Sequence, residues 1–222
     1  MNRRLFLTLP PLAAPLLLRT PMFAAAPALP MPQQRIDCFG QHWLVHEASE
    51  WKIEHADGGE VLRLAVPRPQ EANPRSPVQY ALLESDPLEC FTLDLEVKGP
   101  EAATSLIVVY AWKDPLHFDY IHLSTDAARK QPVHNGVFHV YGGDRVRISS
   151  EEGPPSLADA FKWTPVRIVY DASKGLVEGS INGQKNPSLR GADFSLGAGR
   201  IGFGSFFGTG SFRNFALRRG AC

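Results

Sequence analysis

The sequence predicts an all-β domain, a sandwich or jelly roll of two antiparallel sheets. Three observations carry that expectation. Short runs rich in β-branched, aromatic and leucine residues recur, with turn signals every ~8–12 residues. Nowhere does strand alternate with helix, which sets a parallel sheet aside. The chain also holds 19 glycines and 19 prolines among 222 residues, a supply that suits many tight turns.

Residues 1–26 read as a targeting segment rather than as part of the fold. Arg3-Arg4-x-Phe6-Leu7 is a twin-arginine pattern, and Ala24-Ala25-Ala26 suit a signal peptidase. The apolar run from Leu5 to Leu18 contains Pro10, Pro11 and Pro15. At ~14 residues it falls short of the ~20 that a spanning helix needs. Residues 27–34 form a flexible proline-rich lead-in, and residues 35–222 read as one β-sandwich domain. The expected location is periplasmic or secreted, in a bacterium, with no membrane association after cleavage.

Within the domain the strand signals come in order. Val61 to Val66 follows an Asp57-Gly58-Gly59 turn. Phe91, Leu93, Leu95 and Val97 alternate strictly with polar residues, so one face is buried. Ser105 to Trp112 is almost wholly apolar and suits a central strand covered on both sides. Phe118–Ser124, Gly136–Tyr141 and Asp144–Ser149 come next, with a Gly142-Gly143 hairpin turn between the last two. Val166–Tyr170, Leu176–Ile181 before Asn182-Gly183, Arg200–Ser205 and Phe212–Leu217 follow, and the domain as a whole reads as about twelve strands. The one helix candidate is Ser156–Phe161, which is short.

Loss of the leader removes Arg3, Arg4 and Arg19 and no acid, leaving 20 basic against 23 acidic residues. A nearly neutral surface without a basic stripe argues against nucleic acid as a partner. Cys38, Cys90 and Cys222 lack the C-x-x-C spacing of a zinc or redox motif. If the first and last strands lie side by side, Cys38–Cys222 is the expected pair, with Cys90 buried; three unpaired thiols are the alternative.

The second half resembles a known family. Tyr110-Ala111-Trp112-Lys113-Asp114-Pro115-Leu116-His117-Phe118-Asp119-Tyr120-Ile121-His122-Leu123 is similar to a motif of bacterial concanavalin A-like proteins carrying the 3-keto-disaccharide hydrolase domain. The similarity runs on through His134-Asn135-Gly136, Trp163–Ile168, Ile181-Asn182-Gly183, Gly199–Phe203 and Phe212–Phe215. It covers roughly residues 85–219. What the resemblance implies is a concanavalin A-like jelly-roll β-sandwich with a concave, sugar-facing sheet, and a carbohydrate ligand.

Strand alternation places Phe118, Tyr120 and His122 on one face and Asp119, Ile121 and Leu123 on the other. An aromatic ring, a phenol and an imidazole in a row can stack on a sugar ring and hydrogen-bond its hydroxyls. His122 and His134 are therefore the candidate catalytic pair. Trp112, Phe118, Tyr120, Asn135, Arg145 and Arg147 are the candidate substrate-binding residues; the arginines share a strand face and could grip hydroxyls or an acidic sugar's carboxylate. A satisfied β-face and a solvated, ion-paired one are the structural alternatives.

Metal and carboxylate chemistry find less support. Among the seven histidines, His117, His122 and His134 could converge with Asp119, but no H-E-x-x-H spacing occurs. No metal or cofactor is expected; a calcium on loop carbonyls and an aspartate would suit the fold, without a ligand pattern to locate it. Glu84-Ser85-Asp86-Pro87-Leu88-Glu89 carries the letters of a glucanase acid pair, but Pro87 makes it a turn between strands. Asp94 and Glu96 share a strand's polar face and read as solvated unless that face lines a cleft. Trp163 is expected in the core.

Two functions from different classes remain. An enzyme acting on 3-keto-glycosides could use His122 or His134 to remove the acidified C2 proton and expel the aglycone by elimination. A non-catalytic, lectin-like module would use the same rings to hold a glycan. A structural or interaction domain at the cell surface is the third reading.

Overall fold

The computed structural model describes residues 30–56, 59–68, 75–100, 105–125, 131–206 and 208–220. The leader expected over residues 1–26, the Asp57-Gly58 pair and Cys222 lie outside the described residues.

The described residues form fifteen strands: β1 (Gln34–Cys38), β2 (Gln41–Val45), β3 (Trp51–Ala56), β4 (Gly59–Leu64), β5 (Gln79–Leu83), β6 (Cys90–Lys98), β7 (Ser105–Asp114), β8 (His117–Ser124), β9 (Gly136–Tyr141), β10 (Asp144–Arg147), β11 (Thr164–Asp171), β12 (Leu176–Ile181), β13 (Gln184–Ala192), β14 (Arg200–Ser205) and β15 (Gly210–Arg219). They build two sheets. One has eight strands in the order β1-β2-β5-β14-β7-β8-β9-β10; the other has seven, β13-β12-β11-β6-β15-β4-β3. The described pairings are antiparallel. The fold is the expected concanavalin A-like jelly-roll sandwich.

Alternation in β6 is strict. Phe91, Leu93, Leu95 and Val97 are buried, and Thr92, Asp94 and Glu96 between them are partly exposed. Those four side chains meet Leu106, Val108, Ile121, Leu123 and Phe203 of the opposite sheet in the inter-sheet core. Burial of each contributes about 2 kcal/mol. In β7 every residue from Leu106 to Trp112 is buried, as a strand covered on both sides requires. Asn182-Gly183 turns β12 into β13 with φ of 51° and 77°, the paired positive dihedrals of a type I′ hairpin.

Five strands went unannounced: β2 and β5 lie inside the eight-stranded sheet, and the other three are edges. β1 and β3 are sheet edges with mostly exposed, polar side chains, so they carry no hydrophobic period. β13 is also an edge and contains Pro187, tolerated there because an edge strand has unpaired positions. β1 starts at Gln34, and Gln33 N–H bonds Val45 O at 3.1 Å, so the lead-in is shorter than expected. Ser156–Phe161 is not a helix. Its amides go elsewhere: Ser156 N to Asn135 Oδ1, Leu157 N to Ser124 O, and Phe161 N to Asp159 Oδ1. A one-turn helix α1 (Gln131–His134) stands before β9 instead. No described helix is long and apolar enough to cross a membrane.

The expected Cys38–Cys222 pairing fails. Cys38 is a free, buried thiol, pushed up to about 12 chiefly by burial, whereas Cys90 is disulfide-bonded. The first and last strands are not neighbours. β15 lies between β6 and β4 in the other sheet, and its end reaches Cys90, where Gly220 N–H bonds Cys90 O at 3.3 Å.

Candidate functional site

The eight-stranded sheet carries a second apolar cluster, on the face turned away from its partner sheet. Tyr80, Leu82, Ile107, Val109, Trp112, Phe118, Tyr120, Phe138, Val140 and Phe206 compose it. Its members come from β5, β7, β8, β9 and the segment after β14, one to three residues from each, largely at the spacing of period-two alternation. Trp112 joins only because of a bulge. Ala111 takes φ +48°, and the β7–β8 register slips between Tyr110 and Asp114. Tyr110 and Ala111 thus both face the inter-sheet core, and Trp112 returns to the outer face. A Cβ on Gly199 would lie 2.2 Å from the Ala111 carbonyl carbon, so only glycine admits this bulge beside β14.

Phe118, Tyr120 and His122 do share this outer face, but each is 0% exposed. The Tyr120 ring stacks on Phe138 at 5.3 Å and on Phe206 at 6.4 Å; His122 stacks on Phe206 at 5.3 Å. Over this floor lies Arg145, half-buried, with its guanidinium 4.5 Å from the Phe206 ring and 5.0 Å from the Phe138 ring. Arg145 Nη1 donates to Tyr120 Oη at 2.9 Å. The rings fix the guanidinium plane, and the arginine neutralises part of the cost of sealing a phenol.

His122 and His134 come together, ring centroids 5.8 Å apart. Ser105 Oγ hydrogen-bonds His122 Nε2, while the buried His122 Nδ1 has no partner. Burial, then Arg145 and His134, hold the imidazole well below its ordinary range, so it is neutral at pH 7. Asp119 stays on the opposite face, and His117 is paired with Asp114 at 2.9 Å. The four-residue metal constellation considered from sequence is therefore split by the sheet itself.

Three other candidates serve the framework. Asn135 is 0% exposed; its Nδ2 donates to Ser188 Oγ at 2.8 Å and Pro154 O at 3.2 Å, and its Oδ1 accepts from Ser156. Arg147 donates to the carbonyls of Asn135, Ser149 and Glu151. Trp112 is buried and donates to Tyr80 Oη at 3.1 Å. Asn135 and Arg147 tie loops to strands, and Trp112 ties β7 to β5 within the outer layer.

The carboxylate pairs are spent. Glu84–Glu89 is the turn between β5 and β6, with Glu84 on Arg35. Asp94 is held by Arg167 and Arg218, and Glu96 by Arg213 and Asn214, on the outer face of the seven-stranded sheet. Trp163 is half-buried beneath Arg213, whose guanidinium is 4.3 Å from the indole, and is not core. A hollow of about 520 Å³ at one end of the sandwich is lined by Glu89, Asp171, Ser173 and Lys174 among others. There the Asp171 carboxylate is occupied by Ser173 and Lys174, and no candidate residue lines it.

One group of residues gave no sequence signal. Asp119, His139 and Asp193 bring three donor atoms within 4.8 Å of one another. His139 Nδ1 lies 2.7 Å from Asp119 and 3.8 Å from Asp193. Such a set could hold a cation. Burial pushes Asp119 up to about 6 despite the hydrogen bond from His139, and that bond raises His139. Both groups bind protons more tightly folded than unfolded. Their stabilisation is complete below the unfolded carboxyl value and is lost as pH rises through about 6 and then through the His139 range. Asp119→Asn should therefore gain on the wild type as pH rises from 5 to 8, by on the order of 2 kcal/mol. Paired denaturant curves at several pH values check this; a constant difference contradicts it.

No protein-family model and no curated protein matches the sequence. Solved structures do match. A carbohydrate-binding module, CBM66, from Bacillus subtilis superposes with a TM-score of 0.56 at 13% identity, covering 79% of this chain and 94% of that one. The two share a fold. A structure described as a putative glycosyl hydrolase from Parabacteroides distasonis gives a TM-score of 0.52 at 18% identity, over 78% and 91% of the two chains.

Proposed function

We propose that the protein recognises carbohydrate on the outer face of its eight-stranded sheet, around Arg145 and His134. The observation that carries this reading is the guanidinium of Arg145, held half-exposed over a stacked floor of Phe138, Tyr120 and Phe206. A sandwich already has its core between the sheets. An ordered aromatic layer outside it, ending in a fixed polar group, is the composition of a sugar site. The sandwiches it resembles in shape include a carbohydrate-binding module and a putative glycosyl hydrolase, which supports the same class. Binding is favoured over cleavage because His122 is sealed and the Asp94 and Glu96 carboxylates are tied to arginines.

Export fits this role. The Arg3-Arg4-x-Phe6-Leu7 leader sends the domain out of the cytoplasm, and a disulfide at Cys90 suits an oxidising compartment.

The enzyme reading, in the manner of the 3-keto-disaccharide hydrolases, is second. It draws on the neutral His122, with an unpartnered Nδ1 beside His134. Such a base could take the C2 proton of a 3-keto-glycoside, but Phe206 must first move off the imidazole.

Glycan-array and calorimetric binding with the mature chain, alongside a turnover assay on 3-keto-glycosides, separate the two. Binding that falls about tenfold in Arg145→Ala, without turnover, is the expected result. Turnover lost in His122→Ala would favour the enzyme, and neither binding nor turnover would overturn both.

A further inference from the structure

Arg145 lies over the aromatic floor with its guanidinium half-exposed. Several arginines elsewhere are neutralised: Arg35 by Glu84, Arg68 by Glu50, Arg167 by Asp94, Arg213 by Glu96. Among the described residues Arg145 has no carboxylate within salt-bridge distance; its described hydrogen bond goes to a phenol and its plane lies on two rings. A guanidinium carries five donors in a rigid fork that matches a planar or tetrahedral anion. Fixing that fork on aromatic rings lowers the entropy lost when an anion docks.

Resting on the carbohydrate reading, we propose that the ligand is an acidic saccharide, whose carboxylate or sulfate is gripped by Arg145. The aromatic floor gives Arg145 its direction, and a guanidinium without a described carboxylate partner favours an anion over a neutral sugar.

The test compares oligogalacturonate, its methyl-esterified form and a sulfated galactan oligosaccharide by calorimetry, at low and moderate salt. Arg145→Ala and Arg145→Met are run beside Arg167→Ala, which removes a charge from the opposite sheet. Thermal melts verify folding, and Arg145→Met keeps the rings covered should the alanine variant be too weak. The acid or the sulfate ester is expected to bind at least tenfold more tightly than the ester form. That preference should disappear in both Arg145 variants, persist in Arg167→Ala and weaken with salt. Preference for the carboxylate or for the sulfate tells which anion is read. Equal binding of charged and neutral forms, or a preference that survives Arg145→Met, overturns the inference while leaving carbohydrate recognition intact. Absence of binding to any glycan overturns both.

Discussion

Tyr120→Ala should lower folding stability by about 4 kcal/mol, the cost of deleting a fully buried aromatic side chain from a packed layer. The ring touches Phe118, Phe138 and Phe206, and the sheet beneath it cannot collapse to fill the gap. Burial raises its hydroxyl to about 12, with Arg145 opposing, so the phenol is neutral and acts as acceptor. Tyr120→Phe keeps the ring and removes only that acceptor. It should cost about 1 kcal/mol, yet weaken glycan binding several-fold, because Arg145 loses the bond that fixes its fork. Urea denaturation and calorimetry on the two variants check both statements. Equal destabilisation by alanine and phenylalanine would mean that the hydrogen bond, not the packing, holds this layer. Unchanged glycan affinity in Tyr120→Phe would mean that Arg145 needs no positioning.

Asn135→Ala is expected to cost about 3 kcal/mol without touching the ligand directly. Its amide joins the Pro154–Ser156 loop to Ser188 of β13 from a position with no solvent access. Removing it strands the buried Ser156 N–H and hydroxyl, each a full desolvation penalty, while Ser188 and the Pro154 carbonyl keep Asn186 as a partner. Thermal and urea unfolding should show the loss, while affinity of the folded fraction stays within about twofold. A large affinity change with normal stability would return Asn135 to the site, as its sequence context had suggested.

The contrast between these residues shows how much was legible in the chain. Strict alternation from Phe91 to Val97 and the apolar run in β7 fixed two central strands, and with the turn dipeptides they implied the sandwich. Alternation also put Phe118, Tyr120 and His122 on one face. It could not say which face is covered, because both sides of β8 are apolar and burial is a tertiary property. Phe206 was missed for a related reason. It follows β14 in a glycine-rich stretch without a period, yet folds its ring onto His122. Asn135 and Arg147 looked like ligands' partners because buried hydrogen-bonding residues and binding residues share the same chemistry. Asp119, His139 and Asp193 meet only through strand pairing and the loop after β13, so spacing carried no trace of them.

Side-chain nuclear magnetic resonance of protein labelled at histidine and arginine nitrogens, titrated with its best-binding glycan, tests the location of the site most directly. The imidazole signals of His122 and His134 and the Arg145 Nε–H signal should move together along one saturation curve, while Arg167 and Arg213 on the other sheet stay fixed. Shifts confined to the seven-stranded sheet, with Arg145 and His134 unmoved at saturation, would contradict the account.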